Sequence, residues 1–250
     1  MLEKLRALFK SKGTLPSRHK KRIRQLQKII DTPIDNPFIY VRALRHRSTL
    51  SDENFSSTDS YERLEFLGDA VLDLIVTEVI FDLYPEKNEG FLTKLRAKLV
   101  KGDTLAIFAR ELGLNELLLL AEEVRGQGIE NSKSVLSDVF EALVGALYLD
   151  AGYQEASQFV DKVIDRYINL DEVITTLDNY KSLLLEFAQA RQMKIPIYRV
   201  ISESGPGHDK TFEIEVLVDE KPMGSGIGKS KKEAEQKAAQ KALADLKRSV

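Results

Sequence analysis

Apolar residues recur at three- and four-residue intervals through most of the first two thirds of the chain. Leu64, Leu67, Val71, Leu74 and Ile75 trace one stripe, Leu95 and Leu99 a second, and Leu136, Phe140, Leu143 and Leu147 a third. That spacing gathers apolar side chains on one face of a helix, so residues 36–170 are predicted to form an all-α unit. Its interruptions fall at Tyr84-Pro85, at residues 126–128 with their two glycines, and at Ala151-Gly152, each a plausible inter-helix loop. Residues 51–60 are polar and aperiodic and read as a loop. After Leu177 the texture changes. Residues 180–192 keep helical spacing, whereas 197–202 and 211–218 alternate apolar with polar positions as strands do. Gly-Pro-Gly makes 204–210 a turn, and 222–229 read as a short strand entering a glycine-containing loop. From residue 230 onward Ala234, Ala238, Ala239, Ala242, Leu243 and Leu246 define a lysine-rich helix. The fold class is therefore mainly α: an all-α domain, a boundary near residue 175, then a small α+β module of order α-β-β-β-α.

The 250 residues, 43% hydrophobic and 30% charged, have the balance of an ordinary globular protein of one or two domains. The absence of cysteine excludes disulfides, iron–sulfur clusters and the usual structural zinc sites. Any metal would sit on oxygen or on His19, His46 and His208, and these are too scattered to suggest a site or a catalytic role. The purest apolar run, 117–121, is far short of the roughly 20 residues of a membrane span. With no secretory signal pattern at the basic N-terminus, the expected location is the cytoplasm. The net charge of −2 hides a segregation along the chain. Residues 1–30 hold ten basic residues and one acidic, net +9; residues 31–177 are net −13, and residues 178–250 net +2. Either the segments do different jobs or the charges form a solvated surface.

The carboxylates sharpen this. Glu62, Glu65 and Asp69 stand at i, i+3 and i+7, on one face of a helix. Asp138 and Glu141, at i and i+3, lie in the apolar run 135–144 and are expected to be partly buried. An unpaired buried charge costs several kcal/mol, against a net stability of about 5–15 kcal/mol for a whole domain. Arginine or lysine could compensate, but Arg63 is the nearest base in sequence, and a hard divalent cation, Mg²⁺ with retained waters, suits a carboxylate-only set better. Glu89 is either a further member or an acid favoured by a helix N-terminus.

E-R-L-E-F-L-G-D-A-V-L at 62–72 resembles the signature of the ribonuclease III family. A-L-R-H-R-S at 43–48, E-G-F-L-T-K-L-R-A-K-L-V at 89–100 and D-V-F-E-A-L-V-G-A-L-Y-L-D at 138–150 agree with it in order. The resemblance implies an endonuclease domain at 31–175 in which Glu65, Asp69, Asp138 and Glu141 bind the metal, Asp69 and Glu141 being catalytic, with Glu62 and Glu89 in support. It implies Mg²⁺, with Mn²⁺ substituting, and a homodimer in which Phe66 packs against the partner subunit. The implied reaction is cleavage of double-stranded RNA to 5′-phosphate and 3′-hydroxyl ends with a short 3′ overhang, in processing of rRNA and mRNA precursors. Metal-activated water can perform such a hydrolysis without a side-chain nucleophile.

Residues 178–250 resemble the double-stranded RNA-binding domain that follows the nuclease in this family, through the helix at 180–192, G-P-G-H-D at 205–209 and G-x-G-K-S-K-K-E-A-E-Q-K-A-A at 226–239. Duplex RNA is read mostly by shape, 2′-hydroxyls and phosphates. Lys229, Lys231 and Lys232 at a helix N-terminus suit phosphates. Gly205, Pro206, Gly207 and His208 would enter a minor groove, and Glu186 could accept from a 2′-hydroxyl. The chain departs from the family at Leu185, usually glutamine, at Tyr61, usually asparagine, and at 121–130, which lack a basic glycine-rich pattern. The basic arm, 1–30, carries no family motif and is either disordered or a helix lying on RNA. Two rival classes remain: a double-stranded RNA-binding protein that has lost the chemistry, which the intact carboxylates oppose, and a metal-binding structural protein, which leaves the C-terminal module unexplained.

Overall fold

The computed structural model describes residues 14–51, 55–177, 180–206 and 210–248. The chain divides into two compact units between Ile174 and Thr175. The first contains α1 (Ser17–Ile30), α2 (Pro37–Ala43), α3 (Glu62–Leu83), α4 (Glu89–Leu99), α5 (Gly102–Glu111), α6 (Leu114–Leu117), α7 (Lys133–Asp150) and α8 (Tyr153–Tyr167), and α9 (Leu170–Leu177) runs across the division. The second contains α10 (Tyr180–Ala190), β1 (Ile197–Ser204), β2 (Thr211–Val218), β3 (Lys221–Gly228) and α11 (Lys231–Arg248).

α7 is the central helix of the first unit. Its residues from Leu136 to Leu147 are buried all round apart from Asp138 and Glu141, because α2, α3, α5 and α8 all pack on it. A helix apolar on every side belongs in the middle of a core. The rings of Phe108, Phe140 and Phe159 stack through this core at centroid separations of 5.4 and 6.1 Å. α3 makes the most extensive packing with α7, and the two backbones touch. A Cβ on Gly68 would fall 1.8 Å from the Glu141 carbonyl oxygen, and one on Gly145 would fall 2.4 Å from that of Leu64. At the far end of α7, Asp150 accepts from the backbone N–H groups of Asp35 and Asn36 at 3.1 and 2.9 Å, which fixes the start of α2.

The second half of the basic arm departs from expectation. Residues 17–30 form α1, which buries His19, Ile23, Leu26 and Ile30 along one stripe and belongs to the helical unit. Of the two alternatives, disorder is corrected for these residues, since spacing of i, i+4, i+7 and i+11 builds a helix with an apolar face that the core takes up. Residues 1–13 lie outside the described set. The expected loop at 51–60 includes a one-turn 3₁₀ helix, Ser57–Asp59, closed by a Ser56–Asp59 capping box. Leu74, counted in the apolar stripe of α3, is 51% exposed.

In the second unit the antiparallel sheet has the order β1-β2-β3. Leu184 of α10, Val216 and Val218 of β2, and Ala238, Ala239, Ala242, Leu243 and Leu246 of α11 make its core. β2 and β3 join through Asp219 and Glu220, both in the left-handed region, as a two-residue hairpin turn requires. The short strand expected at 222–229 is β3, with Gly224, Gly226 and Gly228 paired opposite Val216, Ile214 and Phe212. A Cβ at any of the three would lie within 2.7 Å of α11 backbone, so these glycines let the helix settle on the sheet.

Candidate active site

Glu65 on α3 and Asp138 and Glu141 on α7 converge. Each offers one carboxylate oxygen, and the three oxygens lie within 4.8 Å of one another. The Gly68–Gly145 contact makes this possible, because Glu65 is one turn from Gly68 and Glu141 one turn from Gly145. All three side chains are half-buried, and among the described residues no lysine or arginine stands within ion-pair distance of them. Burial, then the charges of Asp69, Glu65 and Asp138, push Glu141 up to about 8. Burial, then Asp138, Glu62 and Asp69, push Glu65 up to about 7. Burial also raises Asp138, against the hydrogen bonds it accepts from Ser137 Oγ at 3.3 Å and Tyr61 Oη at 3.5 Å.

Asp69 is exposed and stands outside the close triad, yet its charge is the strongest of those acting on Glu141. Glu62 is also exposed and accepts from Ser60 Oγ at 3.2 Å. Glu89 opens α4, exposed, and accepts from Thr93 Oγ1 at 2.8 Å; the triad does not include it. Phe66, 83% exposed, shares one side of α3 with exposed Leu74 and Phe81. Two features escaped sequence reasoning. Tyr61 stands out only as a departure from the family pattern, yet it is buried and reaches Asp138. His46 packs beside it with ring centroids 6.0 Å apart. The glycines at 68 and 145 lie within the quoted motifs, but only the helix crossing explains them.

The donor set fits a hard divalent cation. Three carboxylate oxygens repel one another in a half-buried site, and a dication would relieve both the repulsion and the raised proton affinities.

In the second unit Glu186 is exposed on α10, Gly205 has φ 98° beside Pro206, and exposed Lys229, Lys231 and Lys232 stand where β3 passes into α11. Gly207 and His208 fall outside the described residues. Lys181 of α10 pairs with Glu235 of α11 at 2.6 Å, which ties the two helices together at this end. The Lys231 ammonium lies 5.6 Å from the Phe212 ring centroid.

A helical unit that gathers carboxylates between two crossing helices, joined to an α-β-β-β-α module with basic residues at a helix start, is the architecture of a nuclease with a duplex-binding domain. Known proteins agree. Residues 36–168 match the Ribonuclease-III-like family, and residues 180–246 match the double-stranded RNA binding motif. The chain is 45% identical over 213 residues to Ribonuclease 3 of Chlorobaculum tepidum, covering 84% of this chain and 78% of that protein. It is 44% identical over 209 residues to Ribonuclease 3 of Staphylococcus saprophyticus, covering 84% and 85%. The crystal structure of the nuclease domain of ribonuclease III from Campylobacter jejuni superposes with a TM-score of 0.54 at 34% identity, over 60% of this chain and 98% of that one. The chain belongs to the ribonuclease III family, and its enzyme class is that of a double-stranded RNA endonuclease.

Proposed function

We propose that the protein hydrolyses double-stranded RNA with Mg²⁺, or Mn²⁺ in its place, held by Glu65, Asp69, Asp138 and Glu141. The products are 5′-phosphate and 3′-hydroxyl ends with a short 3′ overhang, and the substrates are rRNA and mRNA precursors in the cytoplasm. The observation that carries this reading is the half-buried triad Glu65, Asp138 and Glu141, which among the described residues has no cationic side chain to balance it. Bound Mg²⁺ supplies a water of lowered pKa and positive charge for the leaving oxygen. The chain does the rest. Glu65 and Glu141 give up the protons that burial and mutual repulsion make them hold. Ser137 and Tyr61 orient Asp138, and the Gly68–Gly145 crossing sets the spacing of the two helices. Asp69 and Glu62 add negative charge at the rim, and Glu89 is assigned a supporting role at the start of α4.

The C-terminal module grips the duplex by shape and phosphate through Glu186, residues 205–208, Lys229, Lys231 and Lys232. On α3, the exposed Phe66, Leu74 and Phe81 favour a homodimer, because large apolar side chains exposed along one side of a helix are covered in an interface. Another structure of the Campylobacter jejuni nuclease domain is described as having structural flexibility in a region involved in dimer formation. The domain limits follow as an endonuclease domain to about residue 175 and an RNA-binding domain from 178. No helix among the described residues is long and apolar enough to cross a membrane. Incubating the full chain with a long RNA duplex, with and without Mg²⁺, and mapping the ends tests the proposal. Mg²⁺-dependent cuts with 5′-phosphates and a 3′ overhang are expected, with Ca²⁺ supporting binding but not cleavage. Metal-independent cleavage, or 5′-hydroxyl ends, would overturn it.

A further inference from the structure

In the helical unit, two buried nitrogens, His19 Nδ1 and Arg22 Nε, have no hydrogen-bond partner among the described residues. Both lie on α1, within a concentration of positive charge. Arg18 Nε donates to His19 Nε2 at 3.3 Å, which requires His19 to be neutral. Burial, then the charges of Arg18, Arg22 and Arg45, hold His19 below its ordinary pKa, consistent with that state. Arg45 approaches from the end of α2 with its guanidinium 4.1 Å over the Phe55 ring, and Arg125, from the segment before α7, acts on Arg22.

Acidic partners are scarce here. Asp59 is committed to Arg42 at 2.6 Å, and Arg125 has only a long contact of 3.8 Å to Glu122. Among the described residues Arg18, Arg22 and Arg45 make no ion pair. This cluster adjoins the carboxylate triad through a short chain of side chains. Arg45 precedes His46, the His46 ring lies against Tyr61, and Tyr61 reaches Asp138. Asp59 is the acid whose charge acts on Arg45, but the positive charges outnumber the acids among them and repel, and their position beside a phosphodiester-cleaving site offers a further partner.

We infer that Arg18, Arg22, Arg45 and Arg125 form a phosphate-contacting surface on the nuclease unit, which holds the backbone of the same duplex that the carboxylates cut. The inference rests on the proposed function and adds a second electrostatic grip to that of the C-terminal module. Guanidinium groups suit this work because their planar donors match phosphate oxygens.

The test uses the full chain made inert by Glu141→Gln and measures binding of two unrelated RNA duplexes over a salt series. Arg18→Gln with Arg125→Gln alters two exposed side chains. Each neutralised phosphate contributes about 0.9 to the slope of log affinity against log salt, so the double variant should be shallower by about 2 units, equally for both duplexes. Arg18→Gln alone should give about half that change, and this single exposed substitution carries the test if the double variant melts early. Arg18→Lys with Arg125→Lys, which keeps the charge, should restore most of the slope. An unchanged slope in the glutamine variants overturns the inference. If the duplex is bound and Lys231→Ala with Lys232→Ala alone changes the slope, the functional reading survives and this surface does not. If the inert chain binds no duplex and the unaltered chain cuts none, the functional reading fails and takes the inference with it.

Discussion

Replacing Gly68 by alanine tests how the active site is assembled. The new Cβ would lie 1.8 Å from the Glu141 carbonyl oxygen and 2.6 Å from its carbonyl carbon. These are backbone atoms of a central helix, so no side chain can swing aside. Restoring an ordinary contact of about 3.4 Å needs roughly 1.6 Å of separation between α3 and α7. Overpacking of this kind costs about 1–3 kcal/mol or more, a fall in Tm of roughly 3–10 °C for a protein of this size. The effect on activity should be larger than that fall suggests. Glu65 moves with α3 while Asp138 and Glu141 move with α7, and a displacement of about 1 Å in a catalytic constellation can cost on the order of 10²-fold in rate. Single-turnover cleavage of a fixed duplex, with thermal melting in parallel, reads both quantities at a temperature where the variant is folded. Gly90→Ala is the control, since its Cβ would meet only the Asn88 side chain at 3.6 Å. Gly68→Ala with unaltered rate and Tm would refute the reasoning.

Three further outcomes are expected. The pKa values of about 7 for Glu65 and about 8 for Glu141 exceed their ordinary 4.5, so the folded protein holds protons that the unfolded chain has released. Metal-free stability should therefore fall as pH rises from about 4.5 to about 8 through these groups, and the rise in Tm on adding Mg²⁺ should be larger at the alkaline end of that window; an equal rise at both ends would contradict this. Phe66→Asp places a charge in the exposed apolar strip of α3 and should shift sedimentation at micromolar concentration from dimer to folded monomer, whereas an unaltered sedimentation coefficient removes Phe66 from the interface. Lys231→Ala with Lys232→Ala should make the salt slope of duplex binding shallower by roughly 1–2 units without lowering Tm, and an unchanged slope would return both lysines to a solvated helix face.

Both units and their order were legible because their patterns are strong. The stripes of α3 and α7 keep helical period apart from exposed Leu74, and β2 buries Ile214, Val216 and Val218 at alternate positions, with Leu217 buried as well. Glu65, Asp138 and Glu141 could be singled out because acids in apolar helices are conspicuous. What stayed hidden depends on contacts between segments distant in sequence. Nothing local distinguishes Gly68 and Gly145 from tolerated helix glycines, and only the crossing of α3 and α7 gives them meaning. The β3 glycines fall in the strand the pattern gives, but why they are glycines stays hidden, because sequence cannot display the α11 backbone that excludes a Cβ there. The charge of α1 masked its buried stripe, since two basic residues separate His19 from Arg22 and three apolar positions carry most of the docking. Asp69 and Glu89 match the motif as well as Glu65 does, yet the fold leaves both exposed outside the triad, a distinction that requires coordinates.

The central claim is that the carboxylates held between α3 and α7 bind the metal that drives cleavage of duplex RNA. Its most direct test is a Mg²⁺ titration of single-turnover cleavage by the unaltered chain and by Glu141→Gln, with duplex binding measured on both. An amide is a neutral and weaker ligand for a hard cation, and the substitution also removes one of the mutually repelling charges. Unaltered duplex affinity is expected, with cleavage reduced by orders of magnitude across the titration. Cleavage by Glu141→Gln within tenfold of the unaltered chain at ordinary Mg²⁺ would contradict the account.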